Sequence, residues 1–288
     1  MTAATFLLRD LRKSNGQRSA PSQACGPPSK AYLIDENLSV VQCDSVGKTQ
    51  PVHLSESVLP RDLCVGPGGT LYVLADDGDT SSVFRLDDAD AADWAKMQCR
   101  SRLRRLACAP DGALWAIDDA GGLRSFGFGG GADEAQVEGQ DFAEEVSVGG
   151  DGRVWVVSTE PRYAGRVVRW RARGQHTWTS LPAPSSAIKL SAGPDGVAWT
   201  VNSMGAIWRL HPLGSGNFSE CQVDTDCDRC IFGTRREFAR DVSVDPAGTV
   251  WALSVNQVKG GFQLMRLADK TTKHFEVIEA GAIRLAAA

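Results

Sequence analysis

The chain has 288 residues, 42% of them hydrophobic and 23% charged, with a formal net charge of -4. That acidic balance excludes nonspecific gripping of nucleic acid, which needs a basic footprint, and no apolar run is long enough to span a bilayer. Length alone allows two domains, but closed all-β folds of this size are commonly one.

The first 29 residues are rich in Ser, Pro, Gly and Gln, a composition that predicts disorder. A short apolar patch comes before the Arg and Lys residues, the wrong order for a secretory signal. The expectation is a cytoplasmic protein, or one exported without a classical signal peptide. The segment "FLLRDLRK" suits a short amphipathic turn, which makes the tail a candidate for docking on a partner subunit. Residues 30–288 form the second unit. It opens with "KAYLIDENLSVVQC", in which Tyr32 lies 40 residues before Tyr72.

Five copies of one pattern follow: "LCVGPGGTLYVLADD" from Leu63, "LACAPDGALWAIDD" from Leu106, "VSVGGDGRVWVVS" from Val146, "LSAGPDGVAWTVNSMGAIWRL" from Leu190 and "VSVDPAGTVWALS" from Val242. In each copy an aliphatic lead residue precedes a turn glycine by six positions. An aromatic residue (Tyr72, Trp115, Trp155, Trp199, Trp251) follows that glycine by three. The glycines are 43, 40, 44 and 52 residues apart. The runs between turns are short, alternating and rich in β-branched and aromatic residues, so they predict strands. A third strand recurs as "SVFRL", "GLRSF", "RVVRW", "AIWRL" and "QLMRL", and a fourth as "HTWTSL" or "KHFEVI". Four strands repeated at this period predict propeller blades.

The chain ends in "AIRLAAA", where Leu285 matches the lead residue but no turn or hairpin follows. The Tyr32 fragment has the hairpin and lacks the lead strand. Together they predict a sixth blade, closed by pairing the C-terminal strand with the N-terminal blade. The fold class is therefore all-β, a six-bladed β-propeller with four-stranded blades.

Candidate chemistry is sparse. The four histidines, His53, His176, His211 and His274, fall in outer or loop segments, and there is no nucleophile elbow and no phosphate-binding loop. Asp118, Asp119, Glu144 and Glu145 would serve as general acids only if their surroundings raised their pKa values. Cys221, Cys227 and Cys230 cluster in the longest interval, in "SECQVDTDCDRC". A disulfide, a metal site and plain thiols are all open there. No cofactor is implied, and no catalytic activity is expected.

The four repeated tryptophans read as packing between blades. The others are better binding candidates. "RARGQHTWTSL" places His176 and Trp178 on an outer strand after Arg171 and Arg173, a basic and aromatic edge suited to an acidic sugar or protein surface. Trp208, at the far end of the Leu190 hairpin, completes the candidate ligand-binding set.

The unit resembles the tectonin-type propeller repeat, whose pattern "v-G-x-D-G-x-v-W-x-v-n-x-x-G-x-i-y-r" runs along the whole of "LSAGPDGVAWTVNSMGAIWRL". The resemblance implies a non-enzymatic module over residues 30 to 288, recognising glycans such as bacterial surface polysaccharide, or binding proteins as a subunit of a larger assembly. A weaker similarity joins the G-P-D-G-x-x-W turn to streptogramin lyases, metal-dependent seven-bladed propellers with catalytic histidines. Here the "W-F-T-E" continuation is missing, with Ala116, Val156, Thr200 and Ala252 after the repeat tryptophan, and no histidine sits on an inner hairpin.

Overall fold

The computed structural model describes residues 30–54, 58–87, 93–128, 135–136, 143–183, 185–212, 218–223, 238–269 and 274–288. The N-terminal tail and the Cys227–Cys230 part of the insertion lie outside the described residues, as does most of the segment between Phe126 and Ala143.

The repeat glycines force the local geometry. Gly69, Gly112, Gly152, Gly196 and Gly248 all have φ between 74° and 85°, a region that a Cβ disfavours. The aspartate before three of them locks the same turn. Asp111, Asp151 and Asp195 each accept a hydrogen bond, at 3.0–3.1 Å, from the backbone N–H two residues on. The turn returns the chain antiparallel, so each copy becomes a hairpin and then a sheet.

Among the described residues there are six four-stranded sheets. The blade from Leu190 is typical: Lys189–Ala192, Ala198–Val201, Ile207–Pro212 and Phe218–Val223 pair in sequence order. The N-terminal blade is the exception. Its inner strand is Arg284–Ala287, which pairs antiparallel with Lys30–Ile34, Leu33 lying opposite Leu285. Blades are numbered here from this one. The other inner strands are Leu59–Val65, Leu103–Cys108, Ala143–Val148, Lys189–Ala192 and Ala239–Val244. Each touches the next, and the C-terminal strand touches both the sixth blade's and the second blade's, so the ring has no gap.

The core lies between sheets. Trp155, Trp199 and Trp251 are buried, each against the inner strand of the following blade: Leu190, Val242 and Leu285 respectively. The third-strand arginine has a reason too. Arg85, Arg209 and Arg266 lie directly opposite Tyr72, Trp199 and Trp251 in the register. The last two place their guanidinium over the ring, at 5.4 and 5.9 Å from the centroid.

Inner strands of a propeller present an unpaired edge to the channel, a liability unless satisfied. Here the neighbouring blade supplies acceptors. Ser147, Ser191 and Ser243 accept from the backbone N–H of Ala192, Val244 and Ala287 at 3.0, 3.1 and 2.9 Å. Asp62 does the same for Leu106 at 2.9 Å.

Candidate functional sites

The predicted rim site divides. Arg171 ends its strand, and its guanidinium lies between two indoles, 5.0 Å from the Trp115 centroid and 5.1 Å from that of Trp178. Burial pulls its pKa below the ordinary arginine value. Arg173 is 68% exposed and pairs with Asp111 of the preceding blade at 3.1 Å. His176 is exposed. The outer strand here is only Thr179–Ser180, so His176 and Trp178 belong to the loop before it, not to the strand. Trp178 is half-buried against the cluster containing Val146 and Val154. One of its faces is already covered by Arg171, a contact from chain neighbours that strand spacing alone does not show.

Trp208 lies apart from these residues. With Tyr163, Met204, Ser185 and Asn202 it lines a pocket of about 240 Å³ at the junction of the fourth and fifth blades. This pocket is one end of a larger apolar surface. Tyr163, Met204, Phe238, Val255 and Val258 are 80, 58, 43, 47 and 37% exposed. All five sit on the same face, on second-to-third-strand hairpins or at the start of an inner strand, in three consecutive blades. Backbone bonds join these segments: Ser203 N–H to the Ala164 carbonyl at 2.9 Å, Ala239 to Gly205 at 2.9 Å and Val255 to Phe238 at 2.8 Å. Gly205 is required by this close approach. Its φ is +78°, and a Cβ would fall 2.4 Å from that of Phe238.

The channel holds a feature that sequence reasoning missed. The residue just before each lead residue is charged in all six blades: Arg284, Asp62, Arg105, Glu145, Lys189 and Asp241, in order round the ring. The sign alternates without a break. In four blades a bulge at the preceding residue (Arg61, Arg104, Glu144, Arg240) displaces the register and lets the next side chain face inward. Five of the six, all but Arg105, line one polar cavity of about 130 Å³. A waist of Val65, Cys108, Val148, Ala192, Val244 and Ala287 separates it from a mouth with Pro67, Pro110, Pro194 and Pro246.

Glu145 accepts from Arg105 Nε at 2.8 Å and from Lys189 Nζ. Burial pushes its pKa up, but Lys189, Arg105 and Arg284 outweigh burial and hold it below the ordinary value. That is the wrong direction for a general acid at neutral pH. Asp62 goes the other way: burial raises it, and Arg105 and Arg284 only partly offset this. The other three general-acid candidates are occupied, Asp118 by Arg124 at 2.8 Å, Asp119 by Arg61 at 3.2 Å and Glu144 by Arg166 at 2.6 Å.

No family model matches the chain, and no curated protein does. Solved structures share its architecture at low identity. Virginiamycin B lyase from Staphylococcus aureus is 14% identical, with 87% of this chain and 80% of that one covered at a TM-score of 0.54. TolB from Acinetobacter baumannii is 13% identical, covering 91% and 66% at 0.62. YCF48 bound to D1 peptide is 15% identical, covering 88% and 78% at 0.53. The chain is a β-propeller. A lyase and a propeller bound to a peptide both stand among these neighbours, and at such identities the likeness extends to the fold alone.

Proposed function

We propose that the chain is a non-enzymatic binding propeller, and that it recognises a protein partner through the apolar face of its fourth to sixth blades. The observation that carries this reading is the run of five large exposed hydrophobic residues on three consecutive blades. Soluble proteins rarely leave such residues contiguous unless something covers them. The pocket beside Trp208 would accept one large apolar anchor, with Met204, Phe238 and Val258 extending the contact beyond it. YCF48, with its bound D1 peptide, is a propeller of similar architecture that holds a peptide.

The glycan reading draws its support from the same pocket. Trp208 and Tyr163 could stack on a sugar while Ser185 and Asn202 stand near its hydroxyls. The protein reading is preferred because the face beyond the pocket, Phe238, Val255 and Val258, is apolar and unsuited to hydroxyls. Asn202 Oδ1 already accepts the N–H groups of Met204 and Ala206.

Displayed random peptides selected on the wild-type protein, beside a glycan array, test the choice. The reading expects peptides with a large apolar residue, lost on Met204→Asp and Tyr163→Ser. Glycan hits abolished by Trp208→Ala, with no peptide enriched, would overturn it.

A further inference from the structure

The ring of channel charges is not used evenly. Arg105, Glu145 and Lys189 are joined in one bonded triad. The other three, Asp241, Arg284 and Asp62, are consecutive round the ring, and among the described residues no ion pair forms between them. Asp241 is nine-tenths buried, and its Oδ1 accepts its neighbour's N–H from Val242 at 3.0 Å. Asp62 gives Oδ2 to the Leu106 N–H. One carboxylate oxygen on each side is left, with a guanidinium between them that acts on Asp62 and Glu145 only at a distance. All three line the 130 Å³ cavity.

We infer that this open half of the ring is a binding site for a small zwitterion of the α-amino acid class. The ligand carboxylate would take the fork of Arg284, the residue type suited to planar bidentate recognition. Its ammonium would lie between the free oxygens of Asp62 and Asp241, which accept two of its three protons. The charge count selects this class over others. The six ring charges sum to zero, so a lone cation or anion would leave a net charge in a confined channel, whereas a zwitterion keeps it neutral. Size is consistent as well. The cavity has room for about four waters at their liquid volume, comparable to glycine or alanine. A short aliphatic side chain would point along the channel to the waist of Val65, Val148 and Val244. The site is distinct from the apolar face and does not depend on the partner reading.

Titration calorimetry and thermal shift with glycine, L-alanine and L-valine test the inference, with methylammonium chloride and sodium acetate as controls at matched ionic strength. At least one amino acid should bind saturably and raise Tm, while neither control does. Asp241→Asn, of the same shape, should weaken binding at least tenfold, and so should Arg284→Gln. Arg284 is on the strand that pairs with the N-terminal blade, so if Arg284→Gln fails to fold, Asp241→Asn decides alone. No binding to the folded wild type, equal shifts from acetate or methylammonium, or undiminished binding in Asp241→Asn would each overturn the proposal.

Discussion

Glu145 is the residue on which the channel's bonded triad turns, since it alone touches both cations. Replacing it by Gln leaves Arg105 and Lys189 half-buried without a counter-charge, and breaking such a pair costs about 3–5 kcal/mol. The pH dependence has a definite sign. A carboxylate held below its ordinary 4.5 stabilises the fold above that value and loses its contribution as pH falls through the lowered folded value. Urea unfolding of wild type and Glu145→Gln should therefore converge in acid and diverge above pH 5. Parallel curves would remove the triad from the account. Asp62 gives the opposite dependence, because its pKa is raised: its cost grows as pH rises above the unfolded value of 3.8. Asp62→Asn, which keeps an acceptor for the Leu106 N–H, should match or exceed wild-type stability at pH 7 and lose that advantage in acid. Two tryptophans separate core from rim. Trp199→Ala should cost about 3–5 kcal/mol because it empties a space between blades. Trp178→Ala should cost about 1–2 kcal/mol, chiefly its contact with Arg171, and a chemical denaturation midpoint for each variant checks the ranking.

At the level of strands, the segment Arg284–Ala287 has the widest reach. It pairs with Lys30–Ile34, supplies Leu285 to the core around Trp251 and places Arg284 in the ring. Deleting residues 282–288 would expose two strand edges and leave Ser243 Oγ without its N–H donor. The melting temperature should fall sharply, and an unchanged value would contradict the closed ring. These elements differ in how far the sequence reveals them. The six-residue interval from lead residue to glycine marks the inner hairpin in five blades, because each turn needs a positive φ there and three of them add an aspartate. The split blade was legible because each terminal fragment carried what the other lacked. The bulges were not: Arg61, Arg104, Glu144 and Arg240 read as ordinary strand residues until the register is known. The alternation of Asp62, Arg105, Glu145, Lys189, Asp241 and Arg284 stands in a single column of the repeat. Its meaning requires the strands to be arranged in a circle, where each sign meets its opposite. The stacking of Arg171 is hidden in the sequence for a related reason, since Trp115, the other ring over it, belongs to the preceding blade.

For the molecule as a whole, the repeat makes six similar walls and leaves individuality to the channel and the outer faces. The exposed run of Tyr163, Met204, Phe238, Val255 and Val258 covers the fourth to sixth blades, and Leu59, 58% exposed at Phe238's position in the second blade, stands apart from it. Trp208, picked from the sequence as a binding candidate, lies on it, while Arg171, Arg173, His176 and Trp178 lie elsewhere. Tyr163, Met204 and Phe238 escaped notice because single exposed hydrophobics in turns are ordinary, and only the stacking of three blades makes them contiguous. The decisive measurement is hydrogen–deuterium exchange of the full chain with and without a peptide selected on it. Binding through this face should slow exchange in 159–166, 202–208 and 254–261 and leave the turns at 66–69, 109–112 and 193–196 unchanged. Protection confined to those turns, or to residues 171–178, would contradict the account.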